Sequence, residues 1–504
     1  METFDMDATN GFLDSKWYHL YCSVQRCNSA LRVLNAATDE QVNGRVSRIA
    51  EMKVLRAHYY FELSRLFNKI PYFDENVEIS QYPDIPNNEF TRDEILSMLA
   101  KEMLDAAEQL PASQPEVGRI HKYIALAYAA KIKLYQAYQQ DEITHAVTSI
   151  NKELLREVVS LCDQVTASNR YGLLDDFQGL DLVTNENGKE SVFAIQYSMN
   201  DGTESAGRIN WSNLLNSPGG GSPYGGDGFF LPSQDLINAY QTDANGLPDF
   251  NYQSKSDYSW AVLNNGVYTL QNTTPNVDPR LDFVVGRPTI TWKTYPDKPC
   301  EGWVRDKDTY GYNCAKRFWV SPESSDMFNG WPWGASQLNW QIIRYADILL
   351  WKAEALIELN EGNGLETARD LINQIRNRAR NSAYVKDFND HSKYAANYLV
   401  NPYPADVWNQ DYARQALRWE TRLEKALEGE RFFDLVRWGI VETTMNKYIT
   451  AESDNRIYYA NAHFTGGKDE YYPVPNNQYG FSGGKYVQLS LIHISEPTRP
   501  LYIS

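Results

Sequence analysis

Apolar side chains return every three to four residues through most of residues 16–167, and the same spacing resumes near residue 341. Ile49, Met52, Leu55, Tyr59, Leu63 and Leu66 recur this way, as do Leu365, Ala368, Ile372, Ile375 and Ala379. Such a stripe is one face of an α-helix. It predicts helices over about 16–35, 45–69, 91–110, 119–140 and 152–167, then 341–360, 365–380, 413–427 and 430–443. The punctuation agrees. Asn43-Gly44 and Gly362-Asn363-Gly364 read as turns, Pro71 and Pro111 as stops, and Thr91 with Glu94 as a capping box. Long helices in antiparallel pairs with short turns predict a mainly α, tetratricopeptide-like helical-repeat body.

Between the two helical blocks the character changes. Eighteen of the thirty glycines and eight of the thirteen tryptophans fall within residues 170–340, where helical periodicity fades except near 234–240. A strand is expected at Ser191–Tyr197, and the Gly/Ser run 218–228 must be loop. Within residues 292–333 stand Trp292, Tyr295, Trp303, Tyr310, Tyr312, Trp319, Trp331 and Trp333, interleaved with Lys293, Asp297, Glu301, Arg305, Asp306 and Asn313. Flat rings stack on the C–H faces of sugars, and the polar residues can meet hydroxyls. Loops are also where binding residues concentrate. These eight rings are therefore the candidate ligand platform. The competing expectation is that most of them pack a small core of the insert itself, leaving a few exposed.

Several function classes lack support. A net charge of −17 argues against nucleic acid and anionic membrane surfaces as partners. The five cysteines contain no C-x-x-C and the seven histidines no H-E-x-x-H, so neither a metal site nor a cofactor is expected. Cys300 and Cys314 can pair, although unpaired buried thiols are the plainer expectation. Gly480-Phe-Ser482-Gly-Gly484 matches G-x-S-x-G, but an elbow needs a strand before, a helix after and a downstream histidine. Gly219–Gly221 misses G-x-G-x-x-G because Tyr224 stands at its last position. Asp243, Asn245, Gly246 and Asp249 resemble a calcium loop, yet a turn before a strand explains them better. No run of about 18 apolar residues is long enough to cross a membrane.

Three segments carry a resemblance. Glu428–Gly439 (Glu-Gly-Glu-Arg-Phe-Phe-Asp-Leu-Val-Arg-Trp-Gly) resembles the "EGxRFFDLxRWG" signature of the SusD/RagB family, surface lipoproteins of Bacteroidetes nutrient uptake. Arg56–Phe61 through Ile70-Pro71 resembles "RAxYYFxLxxxFGxVP", with Asn68 in place of glycine. Arg344–Leu350 through Ala353-Glu354-Ala355, then Ile372–Arg376, resembles "RYADVLLxxAEA…INxVRxRA". Physically, the first segment reads as a packed corner in which Arg431, Asp434 and Arg437 form a half-buried ion network among aromatics.

The resemblance implies one helical solenoid with a large insert. It divides the chain into an N-terminal helical part (1–169), the insert and candidate ligand region (170–336), a C-terminal helical part (337–447), and strands and turns that pack back (448–489). Residues 490–504 resemble translated sequencing-adaptor DNA. The implied function is non-catalytic binding of an oligosaccharide at the cell surface, for delivery to a SusC-like TonB-dependent outer-membrane transporter. A secretion signal and a lipidated cysteine are expected to precede this chain and to supply its only membrane attachment. A glycoside hydrolase on a helical scaffold and a peptide-binding or protein-binding helical repeat are the alternatives.

Overall fold

The computed structural model describes residues 10–203, 207–210, 219, 221–226, 228, 230–295, 300–304, 312–330, 333–455, 481–482 and 485–486, with side chains through 448. The first helical block forms α1 (Gly11–Ala36), α2 (Arg45–Leu66), α3 (Arg92–Gln109), α4 (Lys122–Ala137) and α5 (Lys152–Thr166), with the hairpin β1 (Tyr138–Gln140) and β2 (Val147–Ile150) before α5. The expected capping box is present. Thr91 Oγ1 accepts the Glu94 N–H at 3.2 Å while Glu94 accepts the Thr91 N–H at 2.8 Å. Asn10 and Asn151 cap α1 and α5 with their side-chain oxygens.

Each helix packs on its successor, and α5 packs on α8 (Tyr345–Leu359), which is followed by α9 (Gly364–Asn381) and α10 (Gln410–Glu424). The stack thus runs from the first block straight into the second. The intervening excursion holds β3 (Ser191–Ile195), α6 (Gln234–Ala239), β4 (Gln241–Thr242), β5 (Trp260–Asn264), β6 (Val267–Gln271), β7 (Asn276–Val277), α7 (Arg280–Val284), β8 (Val285–Gly286), β9 (Cys314–Ala315) and β10 (Trp340–Arg344). Its sheets are two-stranded, antiparallel and short. Helices α4 and α8 are apolar almost all round because both of their faces are covered. Val54, Phe61, Met103, Tyr128, Leu155 and Trp351 share one core, and Leu349, Ile372, Ile375 and Leu417 a second.

Three differences from the sequence reading have local causes. Residues 341–344 belong to strand β10, paired with β3, because Ile342 and Ile343 feed a ladder before Arg344 caps the helix with Asp347. Helix α4 ends at Ala137, and residues 138–140 turn into the hairpin. Beyond α11 (Arg431–Arg437), α12 runs from Val441 to Asn455 where strands and turns were expected from 448. Val441 and Met445, one helical turn apart, anchor it to the core. The last short strands are β11 (Phe481–Ser482) and β12 (Lys485–Tyr486), and residues 490–504 lie outside the described part.

Charged groups in unusual number fill the centre. Glu424 lies 2.6 Å from Arg344 and 3.1 Å from Arg280, and also pairs with Arg378. Glu420, one turn earlier, takes Arg280 at 2.6 Å and Arg376 at 3.0 Å. Glu190 takes Arg344 at 3.0 Å and Arg378 at 3.2 Å, and Glu428 takes Arg344, Arg317 and Lys425. Glu430 reaches back to Arg65 of α2 at 2.7 Å and Lys131 of α4 at 3.3 Å. The expected trio at 431–437 is only half right. Arg437 pairs with Asp434 at 2.8 Å and with Glu354 of α8, whereas Arg431 lies over the Trp438 ring at 5.9 Å.

Burial by itself would raise the Glu424 carboxyl, but the charges of Arg378, Arg344 and Arg280 hold it at about 2. Glu430 is held at about 2 in the same way by Arg65 and Lys131. Both groups titrate lower folded than unfolded, so their stabilisation is complete above about pH 4.5 and is lost as pH falls toward about 2. Acid unfolding followed by circular dichroism is expected to fall in that window. Glu424→Ala takes one carboxylate partner from each of three buried guanidinium groups, leaving the cluster with excess positive charge, and is expected to cost up to about 3–5 kcal/mol in chemical denaturation. Glu157→Ala, whose carboxylate pairs with Lys133 on a half-exposed surface, is expected to cost less than about 1 kcal/mol.

Candidate ligand-binding surface

The rings of the insert are the place to look first, and the structure divides them sharply. Trp292 is fully buried, and Trp303, Trp319 and Tyr312 are nearly so. Trp292, Trp303 and Trp319 surround Tyr224 in one cluster with Cys300 and Cys314. Trp292 Nε1 donates to Tyr224 Oη at 2.9 Å, and Tyr224 donates onward to the Val320 carbonyl at 2.6 Å. The Trp292 and Trp303 rings meet edge to face at 5.0 Å. Gly286 must be glycine here, since a Cβ would come within 2.3 Å of the Trp292 ring. Tyr312 sits against Tyr268 of the β5–β6 hairpin at 5.0 Å.

These four rings are therefore core, a correction to their place in the platform. A segment with two-residue strands buries little through its backbone ladders. Large aromatics supply the missing apolar area, each ring covering about 150–250 Å². Tyr295 is half-buried against the same cluster. Tyr310 and Trp331 lie outside the described residues. Trp333 is the candidate ring left open, 52 % exposed. Its Cβ lies over Gly225, which holds φ +68° and would bring a Cβ of its own to 3.2 Å from it.

Other rings near the surface escaped the sequence reading. Phe230 is 47 % exposed, and half-buried Phe318 lies 4.7 Å from Trp340. Both Phe230 and Phe318 adopt left-handed φ, at +58° and +68°. That conformation is costly for a bulky side chain and gathers where function constrains the backbone. Phe318 is pinned there by Asp181, which accepts its N–H at 3.1 Å and pairs with Arg317 and Lys293 at 3.1 Å each. Lys293, expected among the sugar-facing polar groups, is thus held inward. No periodicity marks these positions, so composition alone could not have singled them out.

Two weaker motifs resolve plainly. Ser482 is followed by strand β12, so it does not sit on a strand-to-helix elbow. Asp243 Oδ1 accepts the N–H groups of Asn245 and Leu247 at 2.8 and 2.9 Å, closing a turn between the bridged residues Thr242 and Pro248. Among the described residues no cluster of three or more His, Cys, Asp or Glu side chains is placed to hold a metal.

Beside Trp340, Glu186 Oε1 accepts the Asn339 N–H at 2.6 Å. Burial raises this carboxyl to about 7, with the charge of Asp326 adding to the effect against that one hydrogen bond. Folding thus favours its protonated form. The stability it contributes is present below about pH 4.5 and is lost as pH rises toward about 7. Glu186→Gln is expected to flatten the loss of unfolding midpoint between about pH 5 and pH 8, as read by thermal melts at both pH values. An unchanged slope would place the responsible group elsewhere.

Comparison with known proteins bears on the frame and insert together. The chain is 22 % identical over 457 residues to a SusD-like protein of Bacteroides ovatus, covering 86 % of this chain and 67 % of that one. A SusD-like carbohydrate-binding protein from Bacteroides fragilis superposes with a TM-score of 0.64 at 22 % identity, over 88 % of this chain and 76 % of the other. A structure solved with a xylogluco-oligosaccharide superposes at 0.63 and 17 % identity, over 100 % and 91 %. Residues 3–134 match a family described as starch-binding associating with outer membrane. None of the described helices is long and apolar enough to cross a membrane. Residues 189–488 match the SusD family profile, and the chain belongs to that family.

Proposed function

We propose that this protein is a non-catalytic, surface-exposed lipoprotein of the outer membrane that binds an oligosaccharide and passes it to a SusC-like TonB-dependent transporter. The observation that carries the reading is Trp333, an open ring on a loop-rich insert whose other tryptophans are largely spent on its own core. Family membership supports it, as does the oligosaccharide bound by a protein of the same fold. Trp333 forms the centre of the platform, with Phe230 as a further exposed ring of the insert and Tyr295 half-buried.

An open aromatic surface does not desolvate its ligand as a deep pocket does. By analogy with aromatic pairs, each stacked ring contributes about 0.5–1.5 kcal/mol. Hydroxyl hydrogen bonds add about as much each, and ordering the glycan subtracts part of it. The affinity is expected at about millimolar to tens of micromolar. It strengthens with oligomer length and varies little with salt, because the contacts are uncharged. After a glycan array has named the ligand, calorimetry on Trp333→Ala is expected to show binding reduced about two- to tenfold with an unchanged melting temperature. Trp292→Ala is expected to lower the melting temperature, because it opens a cavity in the insert core. Parent-like binding by Trp333→Ala would move the site elsewhere. Reducing-sugar release from the bound glycan would overturn the non-catalytic reading, and failure to co-purify with a SusC-like transporter would remove the partner.

A further inference from the structure

The helical frame has a cleft of its own, to which the insert contributes no lining residue. Its inner lobe has a cavity volume of about 50 Å³ and its outer lobe of about 90 Å³, and both open to solvent. The two lobes meet at Asn68, Arg92, Gln140 and His145. The partly exposed apolar lining of the inner lobe is Leu66 at the end of α2 with Phe433 and Val436 of α11, backed by the buried Phe61, Phe67 and Leu96.

The charges around it are unevenly satisfied. Arg65 on the inner wall pairs with Glu62 and Glu430 and stacks on Phe433 at 4.1 Å. Arg437 pairs with Asp434 and Glu354. Arg92, at the neck, has no carboxylate ion pair among the described residues. Its described hydrogen bond runs from Nη2 to the Tyr135 carbonyl at 3.3 Å, which leaves most of its fork open to the cleft. Burial, with the charge of Arg437, lowers its pKa to about 10 against the opposing effects of the adjacent Asp93 and of Tyr135, so it stays charged at neutral pH. On the same wall, Tyr135 Oη and Arg65 Nε are buried without a hydrogen-bond partner. The outer rim bears Glu89, Asp141 and Glu142 against Lys69. That rim is net negative, so it disfavours polyanions, and Arg92 at the neck is the group that would attract a single carboxylate.

We infer that this cleft binds a small carboxylate with an apolar body, its carboxylate on Arg92 and its apolar part against Leu66, Phe433 and Val436. A free apolar amino acid and the C-terminal residue of a peptide share this chemistry. The site is independent of the sugar platform on the insert.

Calorimetry on the full chain tests it, with 3-phenylpropionate as the probe and 3-phenylpropanol as the analogue lacking the carboxylate. The acid is expected to bind at least about tenfold more tightly than the alcohol. Arg92→Ala is expected to remove that preference with an unchanged melting temperature. Arg92→Lys, which keeps the charge but loses the fork, retains part of it. L-Phenylalanine against a dipeptide ending in phenylalanine tells the two sources apart, the tighter binder naming the ligand class. Trp333→Ala is expected to bind the acid like the parent, so that failure of the sugar platform leaves this result standing. Equal binding of acid and alcohol, no binding of either, or unaltered binding by folded Arg92→Ala overturns the inference. If the alanine variant does not fold, the comparison of acid with alcohol on the unaltered chain decides alone.

Discussion

Glu424 is the point on which the architecture turns. It lies at the end of α10, fully buried, and its one negative charge is shared by guanidinium groups from three separate parts of the chain: Arg280 of α7, Arg344 at the head of α8 and Arg378 of α9. Each of those arginines has a further acidic partner, so the cluster closes on itself through Asp278, Glu190, Glu420 and Glu428. Desolvating so many charges is expensive, and a hydrophobic core of the same volume can be as stable. The network offers what apolar packing lacks here, a defined geometry. A guanidinium fork accepts carboxylates in a few directions only. Arg280 therefore fixes where α7, and with it the insert, meets the frame.

The insert depends on that docking because it has little regular structure to hold itself. Its strands are two to five residues long. Phe177, Tyr240, Tyr258, Leu281 and Phe283 bury themselves together with Leu423 and Ala426 near the end of α10, so the insert's inner core is shared with the frame. Farther out, Tyr224 and its tryptophans form a second core with no frame residue in it. Backbone strain is concentrated in this outer part, where Phe230, Thr289, Lys293, Cys300 and Phe318 all take left-handed φ. Strain of about 1–3 kcal/mol at each such residue persists only where surrounding contacts over-determine it. The ion pairs below and the ring cluster above supply those contacts.

This division explains what could be read in the amino-acid sequence. The helices were legible because periodicity reports which face of a helix is covered, and covered faces build this frame. The Thr91 capping box was legible for a similar reason, since its two hydrogen bonds are local. The strand β10 was not, because Ile342-Ile343-Arg344 runs directly into the helical pattern of α8 and only its partner β3, some 150 residues earlier, settles the matter. The tryptophans were the hardest. In a loop-rich segment no period distinguishes inward from outward. Trp292 and Trp333 look alike in sequence, yet the first is sealed under Tyr224 and the second is open. The polar neighbours misled for the same reason, since Lys293 is claimed by Asp181.

The segments that carry the family resemblance turn out to be frame. Arg56 pairs with Glu75 and Glu102, Arg344 and Glu428 belong to the central network, and Glu430, Asp434, Arg437 and Glu354 join α2, α4, α8 and α11. The glycines of the Glu428–Gly439 segment fit the same account. Gly429 takes φ +81° before α11, and Gly439 passes so close to Val147 that a Cβ would come within 2.8 Å of it. None of these residues belongs to the surface around Trp333. These segments on their own therefore report how the scaffold is held together rather than which ligand it takes. Under the two proposals, the ligand question turns on a small number of side chains: Trp333 on the insert and Arg92 in the cleft of the frame.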